Sequence, residues 1–256
     1  MLIREVTVLD KNATLAKIGS SAKRLIKTNL LWFVHTIPFF IFIYLIFIGN
    51  DFSDNILYWG AAAVFAPTLV FPATTAMYAV LRKFVMGEEV PISQSFFKYY
   101  KENYLRSLIG GIIITILWIG FTFLYVSYAD TNQLVQVILF ILAIALLMFM
   151  LNFFAITSHL EMTLMSTFKS SFFITIGSPI LSAVVGIVAY GLIYLSINFS
   201  PLLMIIISGA LIAHINFAGF YRTMISIRAY QNMVEEDDEA SEDEKEADHE
   251  SIEDAD

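Results

Sequence analysis

Six apolar stretches separated by short polar ones dominate the chain: Asn29 to Gly49, Ile56 to Leu81, Ser107 to Tyr128, Leu134 to Ser158, Pro179 to Ile197 and Pro201 to Phe220. A helix needs roughly 20 apolar residues to cross a bilayer, and each stretch has about that length. The pattern therefore predicts an all-α, polytopic membrane protein with six transmembrane helices. The segments ahead of the first, third and fifth spans carry a different pattern. Leu15, Ile18, Ala22 and Leu25 recur at helical spacing with Lys17, Lys23, Arg24 and Lys27 largely on other faces, which predicts an amphipathic helix lying in the interface. Phe96, Tyr100 and Tyr104 set an aromatic stripe against Lys98, Lys101 and Glu102, and Leu160, Leu164, Phe168 and Phe172 repeat it around Lys169. The design suggests three parallel helix-hairpin repeats, supported by the echo of Lys27, Thr28, Asn29, Leu30 and Leu31 in Lys101, Glu102, Asn103, Tyr104 and Leu105. Any hairpin protein with basic loops shows similar echoes.

Charge orients these spans. All 15 Lys and Arg residues fall before the first span, between the second and third, between the fourth and fifth, or after the sixth. The loops Asn50 to Asn55, Ala129 to Gln133 and Asn198 to Ser200 hold none. Short cytoplasmic loops carry the Lys and Arg excess, so both termini are expected in the cytoplasm. The net charge of -8 comes from residues 234–256, which hold 14 of the 23 acids. The expected divisions are a cytoplasmic amphipathic segment over 1–28, a transmembrane domain over 29–233 and a disordered acidic tail over 234–256. Without the tail the body is basic, which suits an anionic inner leaflet.

Composition narrows the chemistry. A chain of 256 residues that is 58% hydrophobic, with mean hydropathy +0.72, has more apolar surface than one soluble core buries, so the excess faces lipid. With no cysteine there can be no disulfide, thiolate metal site or cysteine nucleophile. The first apolar stretch follows 28 mostly polar residues and reads as an uncleaved anchor. No Walker loop, nucleophile elbow, H-E-x-x-H motif or pair of intramembrane carboxylates is present, so neither an enzyme nor a cofactor is expected, and no nucleic acid partner. His159 and Glu161 have metal-ligand character but no evident third ligand.

Polar residues inside hydrocarbon cost free energy unless satisfied, which singles out His35, Asn152, His214 and Asn216 as a candidate intramembrane polar site. Gly209 and Ala213 form a small pair that lets a neighbouring helix approach, directing His214 toward the bundle interior. Pro38, Pro67 and Pro72 should kink or break the first hairpin, and broken helices are where carriers build substrate sites.

Four segments carry a family likeness: Asn29 to Pro38, Phe71 to Tyr78, Arg82 to Glu89 and Phe96 to Asn103. Together they resemble the YesL-like family of bacterial membrane proteins, a domain of unknown function found chiefly in Gram-positive bacteria. Members are often encoded near carbohydrate-uptake and polysaccharide-degradation genes, so the resemblance implies a link to sugar transport or utilisation and a sugar-transporter subunit as partner. It implies no catalytic or binding residue. In physical terms, Asn29 and Trp32 are expected at the inner interface, and Gly87, Glu88 and Glu89 make the turn into the aromatic helix. That turn, with Phe96, Tyr100 and Tyr104, is the candidate cytoplasmic docking surface. Two functions follow as expectations: a non-enzymatic accessory component of carbohydrate uptake, or a stand-alone carrier or channel for a small neutral solute.

Overall fold

The computed structural model describes residues 2–49, 55–128 and 130–253, with side chains over 18–49, 55–128 and 130–235. The described chain is helical: α1 (Leu2–Ile48), α2 (Ile56–Phe65), α3 (Phe71–Val85), α4 (Ile92–Glu102), α5 (Tyr104–Tyr128), α6 (Gln133–His159), α7 (Leu164–Gly177), α8 (Pro179–Asn198) and α9 (Gly209–Glu253). Two π-helical segments, Ala66–Val70 and Met204–Ser208, precede α3 and α9. Six helical stretches are long and apolar enough to cross a membrane: Ile18–Ile48, Ile56–Val85, Tyr104–Tyr128, Gln133–His159, Pro179–Asn198 and Met204–Glu235. They match the six apolar runs of the sequence.

By packing the chain divides into Met1–Ala218 and Gly219–Asp256. In the first unit the central element is α3, whose residues from Phe71 to Leu81 are all buried. It packs against α1, α4, α5 and α6. Lipid is as apolar as leucine, so close packing and interhelical hydrogen bonds hold such a helix, rather than removal from water. Both devices are present here. Trp32 Nε1 donates to Thr74 Oγ1 at 2.9 Å, Ser107 Oγ donates to Thr75 Oγ1 at 2.8 Å, and the Phe71 and Phe154 rings lie 5.1 Å apart. A Cβ on Gly110 or Gly111 would overlap the Phe153 and Phe71 rings respectively, so these glycines let α5 come close.

The prolines act unequally. Pro38 lies within the unbroken α1. Pro67 has no amide hydrogen to donate, and the segment around it widens to π geometry, with the Phe71 N–H bonding to the Ala66 carbonyl. Nearby hydroxyls take up carbonyls of the same stretch, Thr68 Oγ1 that of Val64 and Thr74 Oγ1 that of Val70, both at 2.7 Å.

Four local expectations differ from this structure. The helix expected to lie separately before the first span is continuous with it, because no glycine or proline separates Leu25 from Asn29; its side chains from 1 to 17 lie outside the described residues. In the aromatic stripe, Tyr104 opens α5 instead of continuing α4, and Leu160 caps α6 instead of starting α7. The echoed asparagines are not equivalent, since Asn29 reaches another helix while Asn103 Nδ2 bonds the Tyr99 carbonyl of its own turn. Finally, the backbone from 234 to 253 is helical where composition suggests disorder. Its Glu, Ala and Lys residues are good helix formers that need no packed face to extend a helix already begun. Side chains beyond 235, residues 254–256 and most of the loop Asn50 to Asn55 lie outside the described residues.

Candidate functional site

Of the four polar residues expected to form an intramembrane site, two meet. Asn216 Nδ2 donates to Asn152 Oδ1 at 3.3 Å, joining α9 to α6. The chain of bonds extends at both ends. Tyr78 OH on α3 donates to Asn216 Oδ1 at 2.9 Å, and Asn152 Nδ2 donates to Thr175 Oγ1 on α7 at 3.0 Å. Tyr78 and Asn216 are fully enclosed and Asn152 is 1% exposed, so this knot is satisfied by protein atoms rather than by an open cavity. Tyr78 and Thr175 were not singled out from sequence, because Tyr and Thr are ordinary in membrane helices and nothing local marks their partners.

His35 and His214 lie elsewhere. His35 Nδ1 donates to the Leu31 carbonyl at 2.7 Å, and its ring sits among Phe96, Phe97 and Tyr100 of α4, with centroids 5.2, 5.4 and 5.6 Å away. It therefore belongs to the junction of α1 and α4. His214 is half-buried, and its enclosed Nδ1 has no hydrogen-bond partner among the described residues. Two residues along a helix turn a side chain by about 200°, so His214 does not share the face of Asn216.

A second knot involves a residue expected at the interface. Asn29 is completely buried, and its Nδ2 donates to the carbonyls of Met204 at 2.9 Å and Ile205 at 2.7 Å, while its Oδ1 accepts the N–H of Ala210 at 2.7 Å. The side chain thus satisfies groups at the start of the second π segment and just beyond its end. Gly209 makes room, since a Cβ there would come within 3.0 Å of Asn29 Oδ1 and of the Trp32 ring. The small residue of the expected pair does admit a neighbouring helix, and that helix is α1. Trp32 is likewise buried, so neither residue sits at a wet interface.

The turn after α3 has the expected form. Gly87 adopts φ +79°, the Glu88 N–H bonds the Lys83 carbonyl and the Gly87 N–H bonds the Phe84 carbonyl, which together make a Schellman cap. Lys83 pairs with Glu88 at 2.8 Å; Arg24 of α1 lies 3.8 Å from Glu89 and over the Phe84 ring. Gly87, Glu88 and Glu89 are exposed. Phe96 is not: it is fully buried, so it anchors α4 to the bundle and Phe97 is the exposed ring of that pair. Tyr100 is half-buried, and burial, with Tyr104 beside it, pushes its phenol up. It stays neutral at physiological pH.

At the same end of the bundle two arginines close the carboxyl end of α6. Arg82 Nη1 donates to the Ser158 carbonyl; Arg106 Nη1 donates to the Leu160 carbonyl at 3.1 Å, and its Nη2 to Thr167 Oγ1. Cations at a helix carboxyl end satisfy the last carbonyls and oppose the helix dipole. His159, between those carbonyls, packs edge-on to Phe217. Among the described residues no group of three His, Cys, Asp or Glu side chains could hold a metal ion.

Comparison with known proteins covers part of this geometry. Residues 25–128 match a family described as "Protein of unknown function, DUF624". The uncharacterized protein YesL of Bacillus subtilis (strain 168) is 26% identical over 167 residues, 64% of this chain and 76% of that protein. The uncharacterized protein YteU of the same organism is 33% identical over 64 residues, 23% of this chain and 29% of its own length. No solved structure matches. The family match takes in Asn29, Trp32, Tyr78, the Gly87 turn, α4 and Arg106, whereas Asn152, Asn216 and the second π segment follow it. With six helices fit to cross a membrane, the chain is a multi-pass membrane protein that is similar to YesL and matches the DUF624 family over its α1 to α5 region.

Proposed function

We propose that the chain is a non-enzymatic accessory protein of the bacterial cell membrane, with both termini in the cytoplasm, that assists carbohydrate uptake by docking on a sugar-transporter subunit. The observation that carries this reading is the construction of its basic end. Phe96 fixes α4 to α1 and α3, and the Schellman cap fixes the turn, so Glu88, Glu89 and Phe97 are offered on a preformed surface. A preformed surface loses little conformational entropy on binding. The carbohydrate assignment comes from the resemblance to the YesL-like family. Direct bonding among Tyr78, Asn216, Asn152 and Thr175 favours this reading over a carrier for a neutral solute, since these polar groups serve helix packing.

The test is purification of the tagged protein from membranes in mild detergent, from cells growing on a polysaccharide. Recovery of a sugar-transporter subunit is expected, and its loss in Phe97→Ala and Glu89→Lys variants that keep the parental melting temperature. Recovery of the protein alone, with sugar uptake intact in a deletion strain, refutes the proposal.

A further inference from the structure

The arginines at the carboxyl end of α6 are left with uncompensated charge. Among the described residues neither has a carboxylate within ion-pair distance; Glu161 attracts Arg106 only from farther away. The partners they do have are neutral: carbonyl oxygens, the Thr167 hydroxyl and, for Arg82, the face of Tyr99 at 5.9 Å. Both Nε atoms are enclosed and have no hydrogen-bond partner among the described residues. The helix dipole offers roughly half a negative charge to the pair, which leaves most of two positive charges in a half-buried setting.

Position decides what supplies the missing anion. Arg82 lies three residues before the end of the span Ile56–Val85, and Arg106 is the third residue of Tyr104–Tyr128, which puts both at headgroup depth. Close by in the chain, Leu105 of α5 is 66% exposed, and beside the Leu160 and Thr167 partners Met162 is 36% and Met165 of α7 66% exposed. Charge beside exposed hydrocarbon is complementary to a phospholipid, whose phosphate takes guanidinium hydrogen bonds while its chains cover the apolar flank. Inorganic phosphate has no use for that flank.

The geometry points to a binding site for the phosphate of an anionic phospholipid at the junction of α3, α5, α6 and α7, with Arg82 and Arg106 as its cationic groups. The lipid completes the cap of α6, so its removal loosens that junction. This site is separate from the Gly87 turn and does not depend on the docking proposal.

The experiment uses the full chain in zwitterionic micelles, with phosphatidylglycerol, phosphatidylcholine or inorganic phosphate added. Phosphatidylglycerol is expected to raise the melting temperature by several degrees and to stay bound in native mass spectra, while the other two do neither. Arg106→Gln should abolish the shift. Lys98→Gln with Lys101→Gln, on the exposed face of α4, should keep it. Should Arg106→Gln fail to fold, Arg106→Lys serves: it retains charge but not the planar fork, and at least a threefold loss of lipid retention is expected. Equal stabilisation by phosphatidylcholine, equal protection by inorganic phosphate, or a shift lost only in the lysine variants would each overturn the assignment.

Discussion

Asn29 Oδ1 accepts the backbone N–H of Ala210 at 2.7 Å, across 181 positions of sequence, while the Nδ2 of the same side chain holds the carbonyls of Met204 and Ile205. One amide thus bridges the place where the last span leaves α geometry. Asn29→Ala removes it and leaves three backbone groups seeking partners. An interhelical side-chain bond in a membrane is worth ~0.6 kcal/mol on average, whereas each buried group left unpaired costs ~1–3 kcal/mol. The second figure governs here, so a loss of about 2 kcal/mol or more is expected in reversible unfolding from mixed micelles. A loss near the smaller figure would mean that the π segment rewinds and Asn29 is ordinary packing.

Tyr78 and Asn216 should be energetically coupled. Tyr78→Phe keeps the ring against Phe154 but deprives Asn216 Oδ1 of its donor, at a cost of ~1 kcal/mol. In a double-mutant cycle with Asn216→Ala the two changes should cost less together than the sum of each alone. Additive costs would remove the bond from the account of how α3 and α9 associate.

Glycine positions separate contact from propensity. At Gly111 a Cβ would stand 2.7 Å from Phe71 Cγ and 3.0 Å from the Pro67 backbone, which cannot yield, so Gly111→Ala should lower stability by ~1–3 kcal/mol. Gly120 lies on the same helix with nothing within 4 Å, and Gly120→Ala should be neutral or stabilise by up to ~1 kcal/mol. Thermal unfolding of the two variants side by side checks this, and equal effects would show that α5 does not approach the π segment closely.

The orientation proposed from the Lys and Arg pattern predicts that reporters fused after Glu102 and Glu161 report from the cytoplasm. Fusions after Asn132 and Asn198 should report from outside. Cytoplasmic signals from both of the latter would reverse the orientation and move Arg82 and Arg106 to the outer leaflet.

The spans were legible because a long apolar run has few alternatives, and Asn152 and Asn216 because an amide in such a run stands out. The rest depended on partners far along the chain. Met204 to Ser208 contains no proline and no local sign of a π segment; its counterpart is Asn29, which the neighbouring Lys27 made look interfacial. Phe96 looked available because aromatic stripes on basic helices often face lipid headgroups, yet His35 and the first span cover it. Proline marked the departure from α geometry at Pro67, where a carbonyl partner is lost beside a hydroxyl-rich stretch, whereas at Pro38 the helix α1 runs on without a break.

The enclosure of α3 on all sides has a bearing on biogenesis. Span two leaves the ribosome ahead of the later spans, so Thr75 and Tyr78 enter the bilayer without Ser107, Phe154 or Asn216 to meet them. Until those arrive, the hydroxyl of Thr75 already has the carbonyl one turn back, that of Phe71, to donate to, a bond it keeps in the assembled bundle. Tyr78 has no such local acceptor among the bonds described, and its partner is made last of all. Assembly of the bundle is therefore complete only when the sixth span is in place, and a chain released before Asn216 carries a finished-looking first hairpin with an unsealed centre.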